Sequence, residues 1–178
     1  GNGRFSGFLE MATGGAVYQG QKFYLDGGGD TFLESPSSNI MTFTTNAVEK
    51  MRINPAGNVG IGVVPVTSWD TFTALQIQGS SLSGLGENNT VLGSNVYHNS
   101  NAFKYIGTGA ATLYQQRLGE HKWFGAASGT AGNTASVTQH MVIEASGDVG
   151  IGTTNPDDRL DVIDGNAQMV FGTASSDR

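Results

Sequence analysis

The window Met51-Arg52-Ile53-Asn54-Pro55-Ala56-Gly57-Asn58-Val59-Gly60-Ile61-Gly62 returns, 90 residues later and without a gap, as Met141-Val142-Ile143-Glu144-Ala145-Ser146-Gly147-Asp148-Val149-Gly150-Ile151-Gly152. Seven of the twelve positions are identical. A repeat of this kind constrains the fold before any single residue does, because each copy must form the same local unit. The period inside the window is two. Met51 and Ile53 alternate with Arg52 and Asn54, and Val59 and Ile61 alternate with Gly60 and Gly62, on either side of a Gly57-Asn58 turn. That pattern predicts strand, tight turn, strand.

The flanks repeat as well. Pro65 and Pro156 follow the two windows, then the alternating runs Leu75-Gln76-Ile77 and Leu160-Asp161-Val162. The polar alternations Ile40-Met41-Thr42-Phe43-Thr44 and Thr134-Ala135-Ser136-Val137-Thr138 precede them. Further strand signals are Phe23-Tyr24-Leu25, Val96-Tyr97, Phe103-Lys104-Tyr105-Ile106, Thr112-Leu113-Tyr114 and Lys122-Trp123-Phe124. No stretch carries a helical stripe, so the expected class is all-β, built of short-strand repeat modules. The expected organisation is a first repeat module at 1–79, an inter-repeat β-module at 80–133, a second repeat at 134–169 and a junction at 170–178.

Composition narrows the chemistry. The 178 residues include 27 glycines and no cysteine, so a disulfide framework, a thiolate metal site and a cysteine nucleophile are excluded. Nine basic residues stand against 15 acidic ones, a net charge of −6 that disfavours nucleic acid and anionic membrane as partners. No apolar run approaches the ~20 residues of a membrane-spanning helix, and no signal peptide is evident. Gly1 in place of an initiator methionine reads as a segment of a longer chain.

Glycine inside a strand weakens it unless something needs the space. Val-Gly-Ile-Gly, found twice, has one branched face and one bare face. The glycines can mark bulges within one domain. They can instead let strands of several copies pack about a common axis, with Val59, Ile61, Val149 and Ile151 turned inward as the packing residues. The second reading is the expectation, because one such unit is too thin to close a core alone.

The paired windows, the second continuing as Thr153-Thr154-Asn155-Pro156, resemble a repeat of bacteriophage tail fibres that precedes an endosialidase-type intramolecular chaperone domain. Phe23-Tyr24-Leu25-Asp26-Gly27-Gly28-Gly29-Asp30-Thr31 and the inter-repeat pieces Lys104-Tyr105-Ile106-Gly107-Thr108-Gly109, Gly119-Glu120-His121-Lys122-Trp123 and Ser128-Gly129-Thr130-Ala131-Gly132 are similar to its surroundings. The resemblance implies a homotrimeric β-structured fibre located in the virion. It also implies attachment to the host surface and contacts with other tail proteins. Ser175-Ser176-Asp177-Arg178 is similar to the junction where the chaperone begins, whose self-cleavage uses a serine-lysine pair. The lysine would lie beyond Arg178, so Ser176 is at most half a site and no activity is assigned.

Other chemistry is weakly supported. Gly57-x-x-Gly60-x-Gly62 reverses the dinucleotide spacing and opens no helix. His98, His121 and His140 lack metal-ligand spacing and read as ordinary histidines. Asp26-Gly27-Gly28-Gly29-Asp30 reads as a turn rather than a calcium loop. Asp157-Asp158 reads as a solvated turn, salt-bridged through Arg159, rather than a glycosidase pair. No cofactor and no metal are expected. The aromatics Tyr97, Phe103, Tyr105, Tyr114, Trp123 and Phe124, set among amides, suit either the module's core or a platform for sugar rings. Tyr97, Tyr105 and Trp123 are the candidate glycan contacts; Trp69 is expected to plug a gap between modules. Three functions follow: an adhesive fibre segment, which leads; a fragment of a polysaccharide-degrading tailspike; and a capsid- or baseplate-attached fibre without receptor contact.

Overall fold

A computed structural model describes residues 19–163. The described residues form strands and turns without helix: β1 (Lys22–Tyr24), β2 (Phe32–Glu34), β3 (Met41–Thr45), β4 (Val48–Ile53), β5 (Val59–Ile61), β6 (Thr73–Ile77), β7 (Ser80–Gly84), β8 (Asn89–Ser94), β9 (Val96–Asn99), β10 (Ala102–Tyr105), β11 (Gly109–Arg117), β12 (Glu120–Gly129), β13 (Thr138–Ile143), β14 (Val149–Ile151) and β15 (Leu160–Val162). The all-β class is therefore correct.

Thirteen strands make one sheet in chain order, β1 to β8 and then β11 to β15, while β9 and β10 pair as a separate hairpin. β1 and β15 are the free edges among the described residues, so the sheet is open. The segment 80–133 contributes β7, β8, β11 and β12 to this same sheet and so bridges the two repeat windows. The junction at 170–178, with Ser176, lies outside the described residues.

Turn chemistry sets the meander. The two-residue loops Asn46-Ala47, Ser100-Asn101 and Leu118-Gly119 hold both residues at positive φ (51° and 56°, 52° and 59°, 54° and 85°). This is the primed geometry whose twist matches that of paired strands. Two connections break the antiparallel pattern: β5 pairs with β6, and β14 with β15, in parallel.

The β9–β10 hairpin lies across one face of the sheet. Ser81 Oγ donates to Val96 O at 3.0 Å, and Ala135 N–H donates to Phe103 O at 2.8 Å, tying the hairpin to the sheet and to the connector before β13. The core forms beneath it. Val96, Tyr97 and Tyr105 of the hairpin meet Ala74, Val91, Ala111 and Leu113 of the sheet, with Trp69 and Phe72 closing one side and Ala135 another. The alternation at 134–138 thus belongs mainly to a connector, with only Thr138 opening β13. Its apolar member Ala135 is buried although no ladder runs through it.

Candidate functional site

The two repeat windows adopt the same pairing. Met51, Arg52 and Ile53 face Ile61, Gly60 and Val59, and 90 residues on Met141, Val142 and Ile143 face Ile151, Gly150 and Val149. In each, the chain leaves the second strand, crosses the sheet face and returns to a parallel strand. The crossover takes residues 62–72 in the first copy and 152–159 in the second. A parallel return ordinarily takes a dozen or more residues, because the connection must clear a layer of side chains.

Glycine removes that layer. A Cβ on Gly60 would stand 2.2 Å from Val63 O and 2.6 Å from Pro65 Cδ. On Gly150 it would stand 2.9 Å from Thr153 O. Both crossovers lie directly on the sheet backbone. This corrects one expectation: the bare face of Val-Gly-Ile-Gly is covered by the chain's own connector, not left open to other copies. Buried side chains fix the first crossover. Asn58 Oδ1 accepts the Ala74 N–H at 2.9 Å, Gln76 Oε1 accepts the Val66 N–H at 2.8 Å, and Gln76 Nε2 donates to Gln78 O at 2.7 Å.

The branched face points the other way, and there the register has a cumulative result. Met41 faces Ile53, which faces Val59, and the row continues through Leu75, Leu82, Leu92, Tyr114, Trp123, Met141, Ile151 and Val162. Eleven successive strands each contribute one apolar or aromatic residue, without interruption. At about 4.8 Å per strand the row is roughly 50 Å long. None of the eleven is buried, and Leu92 is 57% exposed. Of the expected packing residues, Ile61 and Ile151 are exposed and Val59 and Val149 half-buried, all on this face. Beside the row, near the β1 end of the sheet, Phe23, Leu33, Met41 and Ile53 line a cleft of about 690 Å³.

The candidate glycan contacts separate. Tyr97 and Tyr105 are 8% and 5% exposed in the core, where Tyr97 meets Trp69 edge-on at 5.9 Å and Tyr105 Oη donates to Ala127 O. Their faces are not available to a sugar, which corrects that assignment. Being on a hairpin stacked over the sheet, they point inward for the same reason that Val96 does. Trp69 likewise belongs to this core rather than to a gap between modules. Trp123 remains half-buried in the open row, its ring 5.0 Å from that of Tyr114.

The remaining polar candidates resolve into local structure. Asp26 Oδ1 accepts the Gly29 N–H at 3.0 Å and the Thr31 N–H at 3.4 Å, so the glycine-rich loop is an aspartate-capped turn. Arg159 bonds Asp148 Oδ1 at 3.1 Å and Ser146 O at 3.0 Å, which places its ion pair in the repeat turn instead of at Asp157-Asp158. His121 bonds Tyr114 Oη, and His140 lies beside Gly125.

His98 Nδ1 lies 2.9 Å from Asp70 Oδ1 and its ring packs on Phe72 and Phe103. Desolvation pushes the Asp70 carboxyl up, but His98, the Thr71 N–H and the Asn101 N–H together outweigh it and hold the group well below the usual carboxylate range. A depressed carboxylate stabilises the fold above its unfolded-state value and loses that contribution as pH falls through the folded value. Urea midpoints are therefore expected to fall as pH drops below about 4, and Asp70→Asn to flatten that acid limb; an unchanged slope would contradict the pairing.

No protein-family model matches the chain, and no curated protein sequence shows significant similarity to it. Among the described residues the fold is all-β, an open thirteen-stranded sheet that is largely buried on one face and presents an unburied apolar row on the other.

Proposed function

We propose that this chain is a structural and adhesive segment of a bacteriophage tail fibre, in which three copies pack their open sheet faces together and the assembly attaches the virion to a host-surface glycan. The observation that carries this reading is the uninterrupted row from Met41 to Val162, eleven apolar positions of which none is buried by the described residues. Contiguous exposed apolar surface beyond a few hundred Å² marks an interaction site, since water contact at about 25 cal/mol per Å² is otherwise uncompensated. A second and third copy of this chain carry a row of the same length, which matches it strand for strand. The duplicated windows, whose likeness is to phage tail-fibre repeats, supply the number three, the virion setting and the contacts with other tail proteins. The reading assigns no catalytic step to the chain; it is a part that binds and bears load.

Sedimentation and native mass measurement of the purified chain are expected to give three copies per particle at micromolar concentration. A stable monomer there would overturn the assembly. Purified protein is also expected to compete with phage for adsorption to host cells, which a fibre without receptor contact would not do.

A further inference from the structure

On the face away from the apolar row, a groove of about 520 Å³ opens between the tip of the β9–β10 hairpin and the ends of β8 and β11. We propose that this groove binds an acidic saccharide, a sugar ring bearing a carboxylate, with Arg117 as the residue that reads the charge. The proposal deepens the attachment reading above and rests on it for its biological setting. The volume lies within the range of small-molecule sites, and the lining combines rings with amides in the way a saccharide requires.

Phe103, half-buried and edge-on to His98, supplies an apolar face for the C–H side of a pyranose, while Phe72, 5% exposed, backs His98 from the core. Asn89, Asn101 and Gln115 supply the hydroxyl partners. Gln115 Nε2 donates to Asn89 Oδ1 at 2.8 Å, which orients both amides and leaves Gln115 Oε1 and Asn89 Nδ2 without a partner among the described residues. One is an acceptor and the other a donor, the complementary pair that a sugar hydroxyl uses.

The wall is held in place before any ligand arrives. Asn101 N–H donates to Asp70 Oδ2 at 3.4 Å, and Asn99 Nδ2 donates to Ser68 O, so the hairpin tip is tied to the first crossover. A fixed wall lowers the ordering cost of binding.

Charge selects the class of sugar. Arg117 faces Asn89 across the β8–β11 ladder, and its guanidinium makes no hydrogen bond or ion pair among the described residues. Of the carboxylates beside it, Glu120, its ladder partner on β12, is 2.6 Å from Lys122 Nζ, and Glu87, which lines an adjoining groove with Arg117, makes no ion pair with it. In a chain of net charge −6, an unpaired guanidinium at a groove lined with amides is a local positive point. Its planar fork suits a carboxylate bound through two parallel hydrogen bonds.

The test is calorimetric titration and saturation-transfer NMR of the full chain with N-acetylneuraminic acid, methyl glucuronide and methyl glucoside. The two acids distinguish a sialic from a uronic source; the neutral sugar isolates the charge. At least one acid is expected to bind, and Arg117→Ala to weaken it about tenfold or more while leaving the weak binding of methyl glucoside unchanged. Arg117→Lys is expected to recover part of the loss. Because Arg117 is exposed, circular dichroism of both variants is expected to match the parent. Acid and neutral sugars bound alike, no acid bound at millimolar concentration, or an Arg117→Ala variant of undiminished affinity would each overturn the proposal. Its failure is separable from that of the attachment reading. Competition for adsorption that survives Arg117→Ala removes the groove and keeps attachment, whereas acid binding without competition keeps the groove and removes attachment.

Discussion

Leu92→Asp is expected to abolish the three-chain particle while leaving each chain folded. Leu92 sits mid-row, 57% exposed in the single chain, so a charged side chain there meets water and disturbs no core contact. In the proposed assembly the same position is enclosed three times over. Each chain forfeits about 2 kcal/mol of leucine burial and brings a carboxylate whose unpaired burial costs several kcal/mol more. Summed over three copies the penalty is on the order of 10 kcal/mol, enough to return a micromolar sample to monomer. Leu118, 65% exposed in the β11–β12 turn and off the row, supplies the control, and Leu118→Asp is expected to leave the particle intact. Sedimentation velocity with far-ultraviolet dichroism reads both outcomes. A Leu92→Asp protein that still sediments as three chains would remove the row from the interface.

Gly60→Ala is expected to be far more damaging than the same change at its repeat counterpart, Gly150. The added methyl would lie 2.2 Å from a carbonyl oxygen and 2.6 Å from a proline ring, neither of which can rotate aside. The crossover must lift, and with it the Gln76–Val66 bond that seats it. A loss of about 3 kcal/mol or more is expected from urea unfolding of the full chain. At Gly150 the obstacles stand at 2.9 to 3.0 Å and two of the three are side-chain methyls, of Thr153 and Val142. Gly150→Ala is therefore expected to cost about 1 kcal/mol, within the range of a mild overpacking. Equal small losses at both sites would mean that the first crossover is not seated on the strand.

The parts of the fold that were legible in sequence are those where local chemistry decides. The period-two pattern around Gly57-Asn58 specifies β4, its turn and β5, and the same residues specify β13 and β14. The strands β7 and β8 carry no such signal, because Ser80-Ser81-Leu82-Ser83-Gly84 and Asn89-Thr90-Val91-Leu92-Gly93-Ser94 are rich in serine and glycine, residues that elsewhere mark loops. Their small side chains on one side make room for the hairpin, as Ser81 does beneath Val96. The burial of Tyr97 and Tyr105 was equally hidden. Alternation says that a strand has two faces, but only the tertiary arrangement says which one the second layer covers. The groove around Arg117 joins residues from six separated stretches of chain, from Thr71 to Val137, and no spacing rule reaches across them.

The parallel step after each repeat window also fixes strand direction. From β5 the chain runs through one parallel and six antiparallel pairings before it reaches β14, so β5 and β14 point the same way across the sheet. Inserting or deleting a hairpin between the two windows would preserve that polarity, whereas adding one lone antiparallel strand would invert the second window relative to the first. Length in a protein of this design can therefore vary in pairs of strands, and each variant would still align its valines and isoleucines in a single file.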